Sequence, residues 1–423
     1  MKTKALRIYG ARDLRLEQFE LPPIGADELL AEIVCDSLCM SSYKAAELGE
    51  KHKRVPDDAA QNPTILGHEF CGVILEVGEN WAHKFFAGQR FALQPAMKGI
   101  YDAIGYSFRN IGGNSRYGII PACYLEQGCV LPYDGEAFFC GALAEPLSCV
   151  IGAAHASYHT VYGEYSHKPE IVPGGKMALL AGAGPMGLAL IDYILHRENA
   201  QERGPSLLVV TDIDEDRLKR AEKLLCPADA KKAGVELVYL NPNKEADAIA
   251  ALMKISGNSG YDDVFVFAPV ASVIEQGDAI LGHDGCLNFF AGPTDTKFSA
   301  NFNFYNVHYN ATHIVGTTGG NTDDMREALE LSAKGKINPA ILVTHIGGLD
   351  AAAGATLNLP DIPGGKKLIY NHISMPLTAI TDFAEKGKTD PLFAELARLC
   401  DAHGGLWNAQ AERCLMGQCV FKD

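Results

Sequence analysis

Lys176-Met-Ala-Leu-Leu-Ala-Gly182-Ala-Gly184-Pro-Met-Gly187-Leu-Ala-Leu190 is the stretch on which the reading of this chain turns. Residues 177–181 form a short apolar run of the kind that a strand buried on both faces requires. Three glycines follow in G-x-G-x-x-G spacing, and residues 188–195 read as an apolar helix. Strand, glycine turn and helix in that order make a dinucleotide-binding site. Gly182 is expected to allow the sharp turn, Gly184 the close approach of a pyrophosphate, and Gly187 the packing of helix on strand. With Pro185 and Met186 they set the phosphates at the positive end of the helix.

Strands and helices alternate outward from this stretch. Residues 207–211, 235–240, 264–268, 286–290 and 313–316 read as further strands, and residues 215–225 as an amphipathic helix. The pattern predicts an α/β fold, a Rossmann doubly wound parallel sheet. Asp212 ends the second strand, where a carboxylate accepts the ribose hydroxyls of NAD and repels the 2′-phosphate of NADP. NAD(H) is therefore favoured over NADP(H), with Arg217 keeping NADP open. The competing reading of Asp212 is a helix N-cap, for which Asp214 is better placed. Residues 197–205 read as a helix extension and polar loop. Ala268, Gly292 and Thr317 complete the candidate cofactor-binding set.

Residues 1–150 have a different character. Ala5-Leu-Arg-Ile-Tyr9, Leu14-Arg-Leu-Glu-Gln18, Glu28-Leu-Leu-Ala-Glu-Ile-Val34 and Gly72-Val-Ile-Leu-Glu-Val-Gly78 alternate, with Pro22-Pro23 and glycines between them. This predicts small antiparallel, barrel-like sheets. Residues 322–334 read as a helix, residues 341–370 as short strands around a Pro363-Gly-Gly365 turn, and residues 371–423 as a mostly helical tail. The 423 residues are 47% hydrophobic and 21% charged, as in a soluble globular protein. A net charge of -15 argues against nucleic acid and anionic membrane as general partners. No signal-length apolar run opens the chain and no stretch reads as a membrane span, so a cytoplasmic protein is expected. Its twelve scattered cysteines include no C-x-x-C pair and are expected to be reduced, any functional ones being metal ligands.

Three stretches carry candidate metal chemistry: Cys39-Met-Ser41-Ser-Tyr-Lys44, Gly67-His68-Glu69, and Glu145-Pro-Leu-Ser148. A cysteine, a histidine and a carboxylate can hold one zinc and leave a position open, which is the pattern of a catalytic site. Each residue alone also has an ordinary reading: a core cysteine, a hydrogen-bonded histidine, a loop glutamate.

Taken in order, Gly67-His68-Glu69, Gly72, Glu145-Pro-Leu-Ser148, the glycine turn, Val307-His-Tyr309, Ile314-Val-Gly316 and Ala333-Lys-Gly-Lys-Ile337 resemble the zinc-dependent medium-chain dehydrogenases, polyol (sorbitol-type) branch. The likeness spans residues 1 to about 370. It implies a GroES-like β-rich catalytic domain (residues 1–155), a Rossmann domain (156–316), a return to the catalytic domain (317–370) and a helical extension (371–423). It also implies zinc on Cys39 and His68, with Glu69 or Glu145 and water completing the shell, and a dimer or tetramer. More narrowly, Asp36-Ser-Leu-Cys39, Val55-Pro-Asp-Asp58, Gly105-Tyr-Ser-Phe108 and the tail Lys386-Gly-Lys-Thr-Asp-Pro-Leu-Phe393 are similar to L-sorbose 1-phosphate reductases. The resemblance thus implies NADH-dependent reduction of a ketose phosphate to a polyol phosphate, with an unphosphorylated polyol as the alternative substrate. Ser41 and Lys44 would relay the proton, and Glu69 or Glu145 would exchange with the zinc water.

Two departures matter. Residues 94–117 contain no cysteine, so the structural zinc frequent in the family is not expected. Ser42 stands where a carboxylate usually orients the ligand histidine, so another group is expected to do so. Phosphate recognition would need cations, for which Lys44, Arg109, Arg116 and Lys51-His-Lys-Arg54 are candidates, each otherwise a solvated surface charge. A metal-free quinone or enoyl reductase would lack the Cys, Gly-His-Glu and Glu-Pro set. A non-catalytic NAD-binding protein would have no use for it.

Overall fold

The computed structural model describes residues 1–418, so residues 419–423 of the expected extension lie outside the described residues. The chain divides into two compact units. One holds Met1–Glu145, Asn321–Ala333 and the chain from Leu342; the other holds Pro146–Gly320 and Lys334–Ile341.

In the second unit six parallel strands lie in the order Glu236–Leu240, Leu207–Thr211, Lys176–Leu180, Tyr261–Val266, Leu281–Phe289, His313–Val315. This is the doubly wound order, and its reversal beside Lys176–Leu180 opens a crevice at the carboxyl ends of the strands. Met177, Ala178, Leu179 and Leu180 are all buried, which is why this central strand is continuously apolar. The fifth strand is longer than residues 286–290. It begins at Leu281 and passes through Asp284 at φ 57°, a polar start that hides it from an apolar pattern. The helix after the glycines is Pro185–His196; it does not extend through residue 197, because Arg197 leaves helical geometry and Asn199 is left-handed.

Asp284 and Asp263 gather the groups at the other end of this sheet. His159 Nε2 lies 3.3 Å from Asp263 Oδ1, and His159 Nδ1 lies 2.9 Å from the Asp284 carbonyl. Burial alone would depress the His159 imidazolium, but Asp263 and then Asp284 outweigh it and hold its pKa above the usual histidine value. That contribution to stability is full below the unfolded value of about 6.5 and is lost as pH rises through the higher folded value. Thermal melts from roughly pH 6 to pH 9 are expected to show the second unit losing stability, and His159→Gln is expected to flatten that slope.

The first unit is built on the strand Leu29–Ser37. It pairs with Phe70–Val77, Tyr117–Ile120 and Lys366–Tyr370, within an eight-stranded sheet that Arg90–Leu93, Val130–Pro132, Val343–Gly348 and Thr378–Ala379 complete. A second sheet joins Asp13–Glu20, Lys2–Gly10 and Thr64–Ile65. Leu29, Ile33, Phe70, Phe91 and Tyr124 centre the core. The cysteine-free segment is tied down by Tyr124, whose hydroxyl accepts from Ile104 N at 2.7 Å and donates to the Pro95 carbonyl at 2.8 Å.

The tail has a structural task. Trp407, fully buried, donates from Nε1 to Tyr370 Oη at 2.8 Å, and Tyr370 donates to Glu412 at 2.7 Å. Glu412 also accepts from Phe138 N and Phe139 N at 2.7 and 2.9 Å. The tail therefore clamps the strand Lys366–Tyr370 to the helix Phe138–Ala142, which leads into Glu145. Glu412→Gln keeps the shape but turns an amide donor toward donors, and is expected to destabilise this unit by about 1–3 kcal/mol in urea melts.

The helical run Phe138–Ala156 is long and apolar enough to cross a membrane by length and composition, although 83% of its most apolar window is buried inside the protein. That burial gives it the environment of a core helix.

Candidate functional site

Cys39 joins the strand Leu29–Ser37 to the helix Met40–Leu48, in extended geometry at the helix N-cap. The following turn carries Ser41 and Ser42, and Lys44 comes later on the same helix. Gly67 precedes His68 at φ 94°, and a Cβ there would stand 2.3 Å from Asn114 Nδ2. Only glycine fits this approach, and it delivers His68 and Glu69 at the start of the strand Phe70–Val77. One ligand atom each from Cys39, His68 and Glu69 lie within 4.8 Å of one another.

Ser41 donates to Cys39 Sγ at 3.0 Å, and its Oγ lies 3.2 Å from His68 Nε2. Tyr106 Oη lies 3.4 Å from the same nitrogen. Ser42 Oγ stands 3.3 Å from His68 Nδ1. The expectation that a group other than Ser42 orients His68 is therefore corrected: the Ser42 hydroxyl itself reaches the ring, because residue 42 faces inward from the first helical turn and is buried.

The electrostatics centre on an ion pair that the sequence did not announce. Lys366 Nζ lies 2.5 and 2.7 Å from the two Glu69 carboxylate oxygens, with both residues buried. Burial alone would raise the Glu69 carboxyl, but Lys366 and His68 hold it below the usual range. Burial likewise opposes the Lys366 charge, and Glu69 reverses that. Glu145 is different: burial pushes its carboxyl up to about 8, with His68 opposing and Glu69 adding to the rise. It lies outside the 4.8 Å group but within the electrostatic reach of all its members. Buried Asp36, bonded by Asn114 Nδ2, also backs this cluster. Asp36 and Tyr106 lie in the stretches Asp36-Ser-Leu-Cys39 and Gly105-Tyr-Ser-Phe108, which gave them no role of their own, and Lys366 carries no motif. The one available signal for Lys366 was its position opening an apolar strand, Lys366-Lys-Leu-Ile-Tyr370, late in the chain.

Other candidates are placed as follows. Lys44 is half-buried, and burial lowers its ammonium pKa while Cys39 opposes that. Arg109 is turned to Asp58 at 3.1 Å. Arg116 faces His372.

In the second unit Gly187 is required because a Cβ there would lie 1.9 Å from the Gly182 carbonyl. The sharp turn is made by Ala181 at φ 54° rather than by Gly182, whose added Cβ would meet Leu179 Cβ at 2.7 Å. Gly184, the N-cap, has open space where its side chain would be, and no side chain caps the helix behind it. Pro185 and Met186 form the first helical residues. This cradle fits a pyrophosphate. Asp212, buried, accepts from Ala183 N at 3.2 Å and from Asp214 N at 3.0 Å, so its carboxylate lies on the glycine turn. Asp214 is the cap of the next helix, bonded by Asp216 N and Arg217 N; Arg217 pairs back to it at 3.6 Å. Ala268, Gly292 and Thr317 follow the carboxyl ends of the last three strands, and Thr317 Oγ1 is buried with no hydrogen-bond partner among the described residues.

The zinc-binding dehydrogenase family matches residues 200–334, and the alcohol dehydrogenase GroES-like domain family matches residues 25–131. The chain is 54% identical to a mannitol-1-phosphate 5-dehydrogenase of Aliivibrio fischeri, over 98% of this chain and 97% of the relative. It is 48% identical to an L-sorbose 1-phosphate reductase of Klebsiella pneumoniae, again over 98% and 97%. The structure of a 2R,3R-butanediol dehydrogenase from Bacillus subtilis shares the fold with a TM-score of 0.71 at 21% identity, over 87% of this chain and 99% of that one. A GroES-like sheet carrying a thiol, an imidazole and carboxylates, with a doubly wound NAD(P)-type sheet in the same chain, completes the pattern: the chain belongs to the zinc-dependent alcohol and polyol dehydrogenases of the medium-chain family and is an oxidoreductase.

Proposed function

We propose that this enzyme interconverts a ketose phosphate and a polyol phosphate with one catalytic zinc and NAD(H), L-sorbose 1-phosphate reduction being the specific expectation. The observation that carries the reading is the convergence of Cys39, Ser41 and His68 with Glu69, and the electrostatic reach of Glu145 to Cys39, His68 and Glu69. Soft thiolate, imidazole and carboxylate suit zinc with an open position. When bound, zinc supplies Lewis acidity at the substrate oxygen and the nicotinamide supplies the hydride. Cys39 and His68 are the fixed ligands, and Glu69 or Glu145 completes the set. Ser41 holds the proton that passes to or from the substrate oxygen, with Lys44 as the far end of that relay. Ser42 and Tyr106 fix the His68 ring, and Lys366 keeps Glu69 ionised. Asp212 on the glycine turn supports NAD over NADP. The names of the two relatives support a phosphorylated substrate. Exposed Phe304, Tyr305 and Tyr309, beside Ile314 on the edge strand His313–Val315, support assembly of like copies.

The test is NADH oxidation with L-sorbose 1-phosphate beside free L-sorbose. Preference for the phosphate supports the reading. Equal or better turnover of the free sugar moves the substrate to an unphosphorylated polyol.

A further inference from the structure

Four basic side chains, Lys44, His52, Lys53 and Arg54, lie within electrostatic reach of one another and, through Lys44, His52 and Arg54, of Cys39 and His68, in a chain of net charge -15. Arg54 is the most firmly built of them. Its guanidinium stands over the Tyr106 ring, 5.7 Å from the centroid, and over Tyr101 at 5.9 Å. Its backbone is held by Ser107 Oγ, which donates to the Arg54 carbonyl at 2.8 Å, and by His52 Nδ1, which accepts from Arg54 N at 3.3 Å. His52 stacks on the same Tyr106 ring at 5.4 Å, nearly parallel. Tyr106 in turn lies 5.0 Å, ring to ring, from His68. One aromatic ring thus separates the guanidinium from the ligand histidine.

Among the described residues no carboxylate pairs with Arg54, and its buried Nε has no hydrogen-bond partner. This contrasts with Arg109, committed to Asp58. Burial first, and then Lys53, Arg54 and Lys44, push the His52 pKa down to about 4. A fixed, planar, unpaired fork of donors is the side chain suited to a phosphate dianion.

Resting on the reading that the substrate is a sugar phosphate, we propose that Arg54 is the residue that binds the substrate phosphate, with Lys44 and Lys53 supplying the surrounding positive field. A phosphate close to the reacting carbonyl, as on the carbon next to a 2-ketose carbonyl, suits a cation one ring away from His68. Arg54 is on this account a specificity-determining residue, acting on binding and not on hydride transfer.

The experiment measures kcat/KM for L-sorbose 1-phosphate and for free L-sorbose, with NADH fixed, in wild type, Arg54→Ala, Arg54→Lys and Arg109→Ala. Zinc content of each variant is measured alongside. Wild type is expected to prefer the phosphate. Arg54→Ala is expected to cut that preference roughly 10–100-fold, mainly through KM, with zinc retained. Arg54→Lys is expected to restore part of it, and Arg109→Ala to leave the ratio as in wild type. Inorganic phosphate is expected to inhibit wild type competitively and Arg54→Ala far less. If wild type prefers the phosphate and Arg54→Ala keeps that preference, the assignment of Arg54 is overturned while the sugar-phosphate reading stands. If wild type has no preference, the sugar-phosphate reading itself fails and takes the assignment with it.

Discussion

Cys39→Ser is expected to lose turnover by roughly 10³-fold or more, because the polarisation supplied by the metal is worth several kcal/mol and each 1.36 kcal/mol is tenfold in rate. A hydroxyl replaces the one thiolate of the set and is a far poorer zinc ligand. Ser41, which donates to Cys39 Sγ at 3.0 Å, meets instead a hydroxyl oxygen on a shorter bond, a more distant acceptor that carries no thiolate charge. The cofactor cradle belongs to the other unit, built from Gly182, Gly184 and Gly187, and NADH binding is expected to persist. The measurement pairs metal analysis with NADH fluorescence titration and steady-state rates. A variant that binds NADH, lacks zinc and does not turn over is the expected outcome.

Lys366→Met is expected to destabilise the first unit by about 3–5 kcal/mol, the range found when one partner of a buried ion pair is removed. Methionine fills the space of the stem but leaves Glu69 as a carboxylate buried among Cys39, His68 and Asp36 with its principal counter-charge gone. Urea denaturation followed by near-ultraviolet circular dichroism reads this as a lowered midpoint for the first unit. The double variant Lys366→Met/Glu69→Gln is expected to recover much of the loss, since the stranded charge is then absent. A single variant as stable as wild type would show that the ion pair does not hold this corner of the sheet together.

The parts of the fold that alternate regularly were legible in the sequence. The strand at Met177, the glycine turn and the strand ending at Thr211 follow from apolar runs bounded by glycine and aspartate, since a strand buried on both faces has no polar positions. The fifth strand was legible only from Cys286 on, because His283-Asp284-Gly285 interrupts the pattern where Asp284 turns inward to Thr160 and His313. Cys39, His68 and Glu69 could be named because they sit in short motifs. Lys366 could not, because the contact it makes spans 297 residues and comes from sheet pairing: Leu368 lies opposite Ser37, which brings the start of a late strand beside Glu69. Glu412 was hidden for the same reason. A glutamate in an amphipathic helix reads as solvent-facing, yet here it caps another helix inside the protein. Ser42 shows the limit of motif comparison, since a hydroxyl in place of the carboxylate still reaches the His68 ring.

On the proposed function, Cys39 and His68 are expected to bind one zinc that the reaction needs. Metal content and zinc K-edge absorption of the purified enzyme, with activity followed during chelation, test it most directly. The expected result is one zinc per chain with a single zinc–sulfur distance of about 2.3 Å and the remaining ligands nitrogen or oxygen. Activity is also expected to fall with the metal and to return on adding zinc. Full turnover in zinc-free enzyme, or a zinc bound by four sulfurs, would contradict it.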